Sequence, residues 1–186
     1  MNKTNWGIIA TGSIAAKLAE AINSNENSVL YAVASRSENK AKDFAEKFGV
    51  IKHYGSYEQL AADENVDVVY IATPMAQHYE NAKMCIEKGK NVLCEKPLTL
   101  NAAQAQSLFA LARERGLLLA EAMWTRTLPF AQALRKTLAD GRLGAPRLVT
   151  AVLGEAMADI PRIAQPALGG GALLDIGVYA LTLACL

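Results

Sequence analysis

Short apolar runs alternate with amphipathic segments along the chain up to about residue 120. The runs are rich in Val, Ile, Leu and Tyr and have no alternating polar face, which is typical of parallel strands that helices cover on both sides. They predict five strands and a weaker sixth, named last here: Trp6–Ala10, Ser28–Ala34, Val66–Ile71, Asn91–Cys94, Leu117–Ala120 and Ile51–Tyr54.

Between the strands, apolar residues recur at intervals of three and four, which is the period of an amphipathic helix. Glycines follow three of these segments, at the point where a left-handed residue commonly ends a helix, and they are Gly49, Gly89 and Gly116. The alternation of strands and helices predicts an α/β fold with a doubly wound parallel sheet. The predicted helices are Ser13–Ile22, Glu38–Phe48, Gln77–Lys88 and Asn101–Arg115.

The pattern changes after Ala120. Pro129–Asp140 predicts a further helix, residues 141–146 a turn, and Arg147–Leu153 a strand. We therefore predict one domain over residues 1–122 and the incomplete start of a second over residues 123–186, because the remainder is too short for a sizeable domain.

The last segment, Ala172–Leu186, is apolar nearly all round and carries Asp175 as its one charge, which predicts a buried helix. It is shorter than the ~20 residues that a membrane span needs, so no membrane partner is predicted. No cap or polar tail follows it. We therefore expect that the sequence stops inside a domain, and that the exposed apolar surface favours association or aggregation.

The amino-acid composition limits the classes of molecule that the chain is expected to bind. Its 186 residues carry 19 Lys and Arg against 18 Asp and Glu, so no bulk charge attracts nucleic acid, and a small molecule is the expected partner. The three cysteines are widely spaced and lack a CxxC pair, which argues against a disulfide framework or a metal site. The amino terminus shows no signal peptide, and together these features favour the cytoplasm.

The first candidate site follows the first strand and reads Ala10-Thr11-Gly12-Ser13-Ile14-Ala15. It is a relative of the fingerprint GxGxxG/A, in which a dinucleotide pyrophosphate sits at a helix amino terminus. Gly12 allows the backbone to approach the phosphates, and the amides of Ser13 and Ile14 would point at them. Ala10 replaces the first glycine and is expected to strain the turn. The alternative interpretation is an ordinary tight connection.

The end of the second strand bears on the choice of cofactor. An acid there usually selects NAD, whereas an arginine can accept the 2′-phosphate of NADP. The chain has no acid between Glu26 and Glu38 and offers Ser35-Arg36-Ser37, with Lys40 one turn further on. The residues therefore favour NADP, with NAD as a possible cofactor. The alternative is a solvated turn followed by a helix cap.

Several motifs together resemble the glucose–fructose oxidoreductase and inositol dehydrogenase (Gfo/Idh/MocA) family, nearest its dihydrodiol and D-xylose dehydrogenase branch. They occur in the family's order over nearly the whole chain, and the motif with Glu95-Lys96-Pro97 and the one from Gly169 to Tyr179 are fairly specific. Besides the glycine turn and Ala34-Ser35-Arg36-Ser37, they are Ile71-Ala72-Thr73-Pro74, Cys94-Glu95-Lys96-Pro97, Met123-Trp124-Thr125-Arg126 and Gly169-Gly170-Gly171-Ala172-Leu173-Leu174-Asp175-Ile176-Gly177-Val178-Tyr179.

The resemblance implies a Rossmann-type domain followed by an α+β substrate domain with an open sheet, which is incomplete here because most of its strands would lie beyond Leu186. It implies a homodimer where that second domain is complete. It also implies that Thr73, Pro74 and Glu95 contact the cofactor, as do Lys96, Trp124 and Arg126. Ala10 and Met75 depart from the residues that relatives often have. Pro97 resembles a family proline that is often cis.

The resemblance implies that the catalytic residues are Lys96, Asp175 and Tyr179. Lys96 follows a strand at the edge where an open sheet forms its ligand crevice, and its cation would orient a substrate hydroxyl and favour phenolate formation at a neighbouring tyrosine. Tyr179 would be the general acid or base. Asp175 lies four residues before Tyr179, on the same helix face, and would position substrate or tune Lys96.

Simpler interpretations remain open at this point. A lysine before a proline is commonly solvated, and a tyrosine in an apolar helix is commonly a core residue. Thr73-Pro74 also fits a helix entry, and Trp124 and Arg126 fit packing between domains. His78 fits a structural cap better than a catalyst, and His53 receives no role.

The sequence thus predicts an NADP-dependent oxidoreductase that transfers hydride between the nicotinamide and a carbinol carbon of a sugar, polyol or dihydrodiol-like substrate. No metal is predicted. The first alternative is a truncated, non-catalytic nucleotide-binding or assembly module, and the second is an incomplete gene product without a stable function. Only the enzyme requires turnover that depends on Lys96 and Tyr179.

Overall fold

A computed structural model describes residues 3–157 and 159–186 of the chain. The chain divides into two compact units. The first extends to Glu121, and the second comprises Ala122–Leu186.

The first unit is built on a six-stranded sheet, as the apolar runs predicted. The strand order is β3-β2-β1-β4-β5-β6, and the ladders from β3 to β5 are all parallel. This order is that of the dinucleotide-binding doubly wound fold, in which the ligand crevice opens at the carboxyl ends of the strands where the order reverses, here between β1 and β4. The strands are β1 Thr4–Ile9, β2 Ser28–Ala34, β3 Lys52–Tyr54, β4 Val68–Ile71, β5 Asn91–Glu95 and β6 Leu119–Ala122.

Helices connect the strands of the first unit, and further helices form part of the second unit. The predicted left-handed glycines are confirmed, with φ of 70° at Gly49, 78° at Gly89 and 66° at Gly116. Short 3-10 turns lie at Met75–Gln77, Trp124–Thr127 and Pro166–Leu168, and a π-helical stretch at Leu173–Gly177. The α-helices are α1 Ser13–Asn23, α2 Glu38–Phe48, α3 Tyr57–Ala62, α4 His78–Glu87, α5 Ala102–Glu114, α6 Pro129–Ala139, α7 Pro161–Ala164 and α8 Val178–Ala184.

Both faces of the sheet are buried, which explains why its strands lack an alternating polar face. In β1, Ile9 packs in the main core cluster with Leu60 of α3 and Ile86 of α4. Its neighbour Ile8 points to the opposite face and is equally inaccessible to solvent. Successive side chains of a strand point to opposite sides, so two apolar neighbours require cover on both faces.

One helix of the first unit, α3, was not predicted from the period of the apolar residues. It has only six residues, too few for a periodic pattern to emerge. A local signal exists, because the Ser56 side chain caps the helix by accepting a hydrogen bond from the Gln59 amide at 3.2 Å. Ser56 and Gln59 have the spacing of a capping box, which marks a helix start.

The predicted strand Arg147–Leu153 is wrong, because the structure has an irregular segment there. Leu148 and Val152 are 84% and 91% exposed. A strand is stable only when its backbone groups pair with another strand, and the described residues after Ala122 contain none.

The prediction of a buried helix over Ala172–Leu186 is confirmed for the helical backbone and wrong for the burial. Leu173 and Leu181 are 65% and 56% exposed, and Asp175 is the one buried residue of the segment. An apolar circumference is buried only when protein covers every side of the helix. Within its own unit, α8 packs against the Trp124–Thr127 turn.

One segment of the described residues, Pro166–Ala184, is long and apolar enough to cross a membrane by length and composition, with a mean hydropathy of 1.5. A core helix has the same composition. The segment is interrupted rather than continuous, because Gly169 and Gly171 have φ of 83° and 139°.

Candidate active site

The predicted cofactor residues of the first unit gather at one edge of the sheet. Residues 11–14 follow β1, residues 35–37 follow β2, and Thr73 and Pro74 follow β4. Glu95 is the last residue of β5, and Lys96 follows it. The carboxyl ends of parallel strands form the ligand crevice of this fold. The topology therefore brings these residues to a common edge.

The glycine turn presents an uncapped helix start. Gly12 is the N-cap residue of α1, no side chain caps the helix, and its first turn contains no acid. The first amides of a helix have no partner within the helix, so this start has donors for an anion. Gly12 has φ of −76°, and a Cβ added there would meet nothing within 4 Å. The protein itself therefore does not require glycine here, whereas a closely approaching ligand would.

Ala10 is the residue that the sequence marked as strained, and the structure confirms it. Its φ is 82°, and it is the one described residue other than glycine with a positive φ. The amide of Ala10 donates to the Ala34 carbonyl at 2.9 Å, so the turn continues the pairing of β1 with β2. In this region a Cβ crowds the backbone and costs about 1–2 kcal/mol.

We expect Ala10→Gly to raise the free energy of unfolding by about 1 kcal/mol, because glycine relieves that crowding at some cost in chain entropy. Urea denaturation of the chain measures the change. The matched control is Ala16→Gly in α1, which should lower the free energy of unfolding by about 1 kcal/mol. Equal losses in the two variants would contradict the assignment of strain to Ala10.

The turn after β2 holds Arg36 between two serines. The Ser35 amide donates to the Tyr54 carbonyl at 3.1 Å, and the Ser35 hydroxyl accepts from the Ser37 amide at 3.3 Å. Ser35 is buried and Arg36 is exposed. Ser37 occupies the N-cap position of α2, yet its side chain makes no capping hydrogen bond, so the helix-cap interpretation does not account for it.

Tyr57 of α3 lies beside Arg36. Burial raises the pKa of the Tyr57 hydroxyl, and the nearby guanidinium lowers it in part. The ring of Tyr57 packs against the core cluster. A rigid aromatic ring thus borders the exposed cation.

His78 joins the loops that follow β4 and β5. It is 1% exposed, and its Nε2 lies 2.9 Å from the Thr73 carbonyl and its Nδ1 2.7 Å from the Pro97 carbonyl. Asn81 further anchors this region by donating to the Thr73 hydroxyl at 3.1 Å. Both ring nitrogens of His78 face backbone carbonyls at hydrogen-bond distance, which supports the structural role over a catalytic one.

The loop after β5 carries Lys96, which is half-buried. The Lys96 amide donates to the Glu95 carboxylate at 3.2 Å, and the peptide bond from Lys96 to Pro97 is cis. The Leu98 amide donates to the Glu121 carboxylate at 2.8 Å. Glu121 was not predicted from sequence, and no local pattern indicates it, since it lies 23 residues from its partner.

The remaining predicted residues belong to the second unit. Asp175 lies in the π-helical stretch and is 4% exposed, and the half-buried Tyr179 follows in α8. Single π-helical turns within α-helices are frequent at functional sites. Trp124 and Arg126 lie in the 3-10 turn Trp124–Thr127, where Trp124 is 63% exposed.

The cysteines offer little reactivity in the first unit. Cys85 and Cys94 are buried, and burial raises the pKa of the Cys85 thiol to about 12. A thiol that stays protonated is a poor nucleophile. Over residues 3–157 and 159–186, no three His, Cys, Asp or Glu side chains are grouped to hold a metal ion.

Comparisons with known proteins agree with the motifs. The Gfo/Idh/MocA oxidoreductase family with an NAD-binding Rossmann fold matches residues 4–123, and the family's C-terminal domain matches residues 131–186. Trans-1,2-dihydrobenzene-1,2-diol dehydrogenase of Sus scrofa is 45% identical over 179 residues, covering 95% of the chain and 53% of that protein. The human protein of the same name is 44% identical with the same coverage.

Solved structures show the same similarity. An NAD binding oxidoreductase from Klebsiella pneumoniae has a TM-score of 0.83 and 30% identity, over 98% of this chain and 52% of its own. The 3-ketoreductase KijD10 of Actinomadura kijaniata, in complex with NADP and TDP-benzene, has a TM-score of 0.80 and 34% identity. The match covers 96% of this chain and 55% of KijD10. The chain thus spans about half the length of the relatives it matches. The family matches include the glycine turn at residues 10–15, the lysine loop that carries Lys96, and the final helix α8. The protein therefore belongs to the Gfo/Idh/MocA oxidoreductase family.

Proposed function

We propose that the chain forms the cofactor-binding part of an NADP-dependent oxidoreductase. The observation that carries this proposal is the placement of the uncapped glycine turn and Lys96 at the same edge of the sheet, on either side of the point where the strand order reverses. In this fold a dinucleotide lies across that point.

The residues at this edge fit the cofactor. The amides after Gly12 would hold the pyrophosphate, and Arg36 with Ser35 and Ser37 would hold the 2′-phosphate of NADP. Thr73, Pro74, Glu95 and Lys96, with Trp124 and Arg126, complete the proposed contacts. The complex of KijD10 with NADP, in a relative of 34% identity, supports the same choice. When bound, the cofactor supplies a carbon that accepts or donates hydride.

Side chains of the chain itself would transfer the proton of the substrate hydroxyl. As a carbinol carbon of the substrate loses hydride, Tyr179 takes the proton of its hydroxyl, and in the reverse direction Tyr179 returns it. The ammonium group of Lys96 orients the substrate oxygen and stabilises the negative charge that develops there. Asp175 positions the substrate. We propose a sugar, polyol or dihydrodiol-like compound as substrate, supported by the dihydrodiol dehydrogenases among the relatives.

We expect the chain to bind NADPH more tightly than NADH, and Arg36→Ala to weaken NADPH binding about 10- to 150-fold with little change for NADH. A hydrogen bond to a charged group contributes about 1.5–3 kcal/mol, and each 1.4 kcal/mol corresponds to tenfold in affinity. Titration calorimetry with both cofactors measures the change. Arg113→Ala, which removes an exposed arginine of α5, should leave both affinities within twofold.

Equal affinities for the two cofactors would remove Arg36 from its assigned role. Cofactor binding without any turnover, in a form with the full length of the relatives, would favour the alternative, a nucleotide-binding or assembly module. Dimerisation and a cytoplasmic location stay predictions, for light scattering and for imaging of the tagged protein.

A further inference from the structure

The carboxylate of Glu95 receives hydrogen bonds from two donors of the chain itself. The Tyr70 hydroxyl donates to Oε1, and the Lys96 amide donates to Oε2 at 3.2 Å. A bond from a hydroxyl to a carboxylate is charge-assisted and stronger than one between neutral groups. Glu95 thus bridges a side chain of β4 to the backbone of the lysine loop.

Tyr70 is a rigid support for this bridge. It lies in β4, pairs with Leu93 of β5 and is 2% exposed. Because Glu95 lies two residues after Leu93, Tyr70 and Glu95 project from the same face of the sheet. Burial, followed by the bond to Glu95, raises the pKa of Tyr70 far above its ordinary value, so the hydroxyl keeps its proton and remains a donor at neutral pH.

The loop beyond Lys96 is held by other side chains. His78 contacts the Pro97 carbonyl, and Glu121 accepts from the Leu98 amide. Tyr70, through Glu95, supplies the support on the amino-terminal side of Lys96. Removing it would leave the carboxylate without its buried donor and the Lys96 amide without a fixed acceptor.

We propose that Tyr70 is a positioning residue that acts through Glu95 to hold Lys96 and the nicotinamide end of the cofactor site. This inference rests on the proposed function, because it requires that the chain binds a dinucleotide at this edge. We place the adenosine end at the turns after β1 and β2, whereas the Tyr70 hydroxyl bonds to Glu95 at the end of β5. Its loss should therefore affect one end of the cofactor and spare the other.

Two probes separate the ends: NADPH, and adenosine 2′,5′-bisphosphate, which lacks the nicotinamide. We expect Tyr70→Phe to weaken NADPH binding about tenfold, in line with the loss of a hydrogen bond to a charged group, and to change bisphosphate binding less than twofold. The control is Tyr79→Phe, which removes a hydroxyl 3.4 Å from the Ser107 hydroxyl. Both of its affinities should stay within twofold of wild type.

A double-mutant cycle with Glu95→Gln tests the route of the effect. Because Tyr70 acts through Glu95, the double variant should bind NADPH no more weakly than Glu95→Gln alone. A loss of NADPH affinity in the double variant equal to the product of the two single losses would overturn the inference. Unchanged NADPH binding in Tyr70→Phe, or an equal loss of affinity for both probes, would also overturn it. If Tyr70→Phe does not fold, Glu95→Gln gives the same comparison of probes, and an equal loss of both overturns the inference.

The wild-type chain distinguishes the two proposals. Failure to bind NADPH, the bisphosphate and NADH would overturn the proposed function and this inference with it. Preference for NADH would overturn the cofactor choice alone, and the comparison would then use NADH and ADP. Binding by the wild type with no selective loss in Tyr70→Phe would overturn only the inference about Tyr70.

Discussion

Replacing Tyr179 with phenylalanine is expected to lower turnover by about 10²–10⁴-fold, the range that general acid–base catalysis contributes. The substitution removes the hydroxyl that would exchange a proton with the substrate and nearly preserves the shape of the side chain. NADPH affinity should therefore stay within twofold. Steady-state kinetics and calorimetry, on a form with the full length of the relatives, measure the two effects.

A matched control is available in the same helix. Thr182 donates to the Val178 carbonyl at 2.7 Å, so Thr182→Val also removes a hydroxyl from α8 without altering a proposed catalytic group. Its turnover should stay within a few-fold of wild type. Turnover of Tyr179→Phe within twofold of wild type would rule out Tyr179 as the proton-transfer group.

Replacing Lys96 with methionine is expected to lower turnover by about 10²–10³-fold, the typical effect of removing one electrostatic donor from a reacting oxygen. Methionine retains an unbranched stem and removes the charge, whereas Lys96→Ala also removes the packing of the stem. Alanine should therefore be at least as severe and should weaken NADPH binding further. Kinetics with saturating cofactor separate the loss in turnover from the loss in affinity.

The exposed Lys88 provides the control, since Lys88→Met removes a lysine from the end of α4 and should leave turnover unchanged. Lys96 and Tyr179 are proposed to act on the same proton-transfer step. The double variant should then lose much less than the product of the two single losses. Fully multiplied losses would show that the residues act on separate steps.

Local signals were sufficient for most of the first unit. Apolar runs without alternation predicted its strands, and the glycines at 49, 89 and 116 predicted where helices end, because only a residue without a Cβ adopts positive φ at little cost. The strain at Ala10 followed from the same argument. Local signals were insufficient for the strand Arg147–Leu153, because β-propensity does not supply the second strand that its backbone needs.

The same contrast applies to the candidate site. The sequence by itself determined which side chains follow β1, β2, β4 and β5, because parallel strands bring their carboxyl ends to one edge. Only the tertiary structure decided how the lysine loop is held. Tyr70 lies 25 residues from Glu95, His78 lies 19 residues from Pro97, and Glu121 lies 23 residues from Leu98. Hydrogen bonds over such distances depend on strand order and register, which no local pattern encodes.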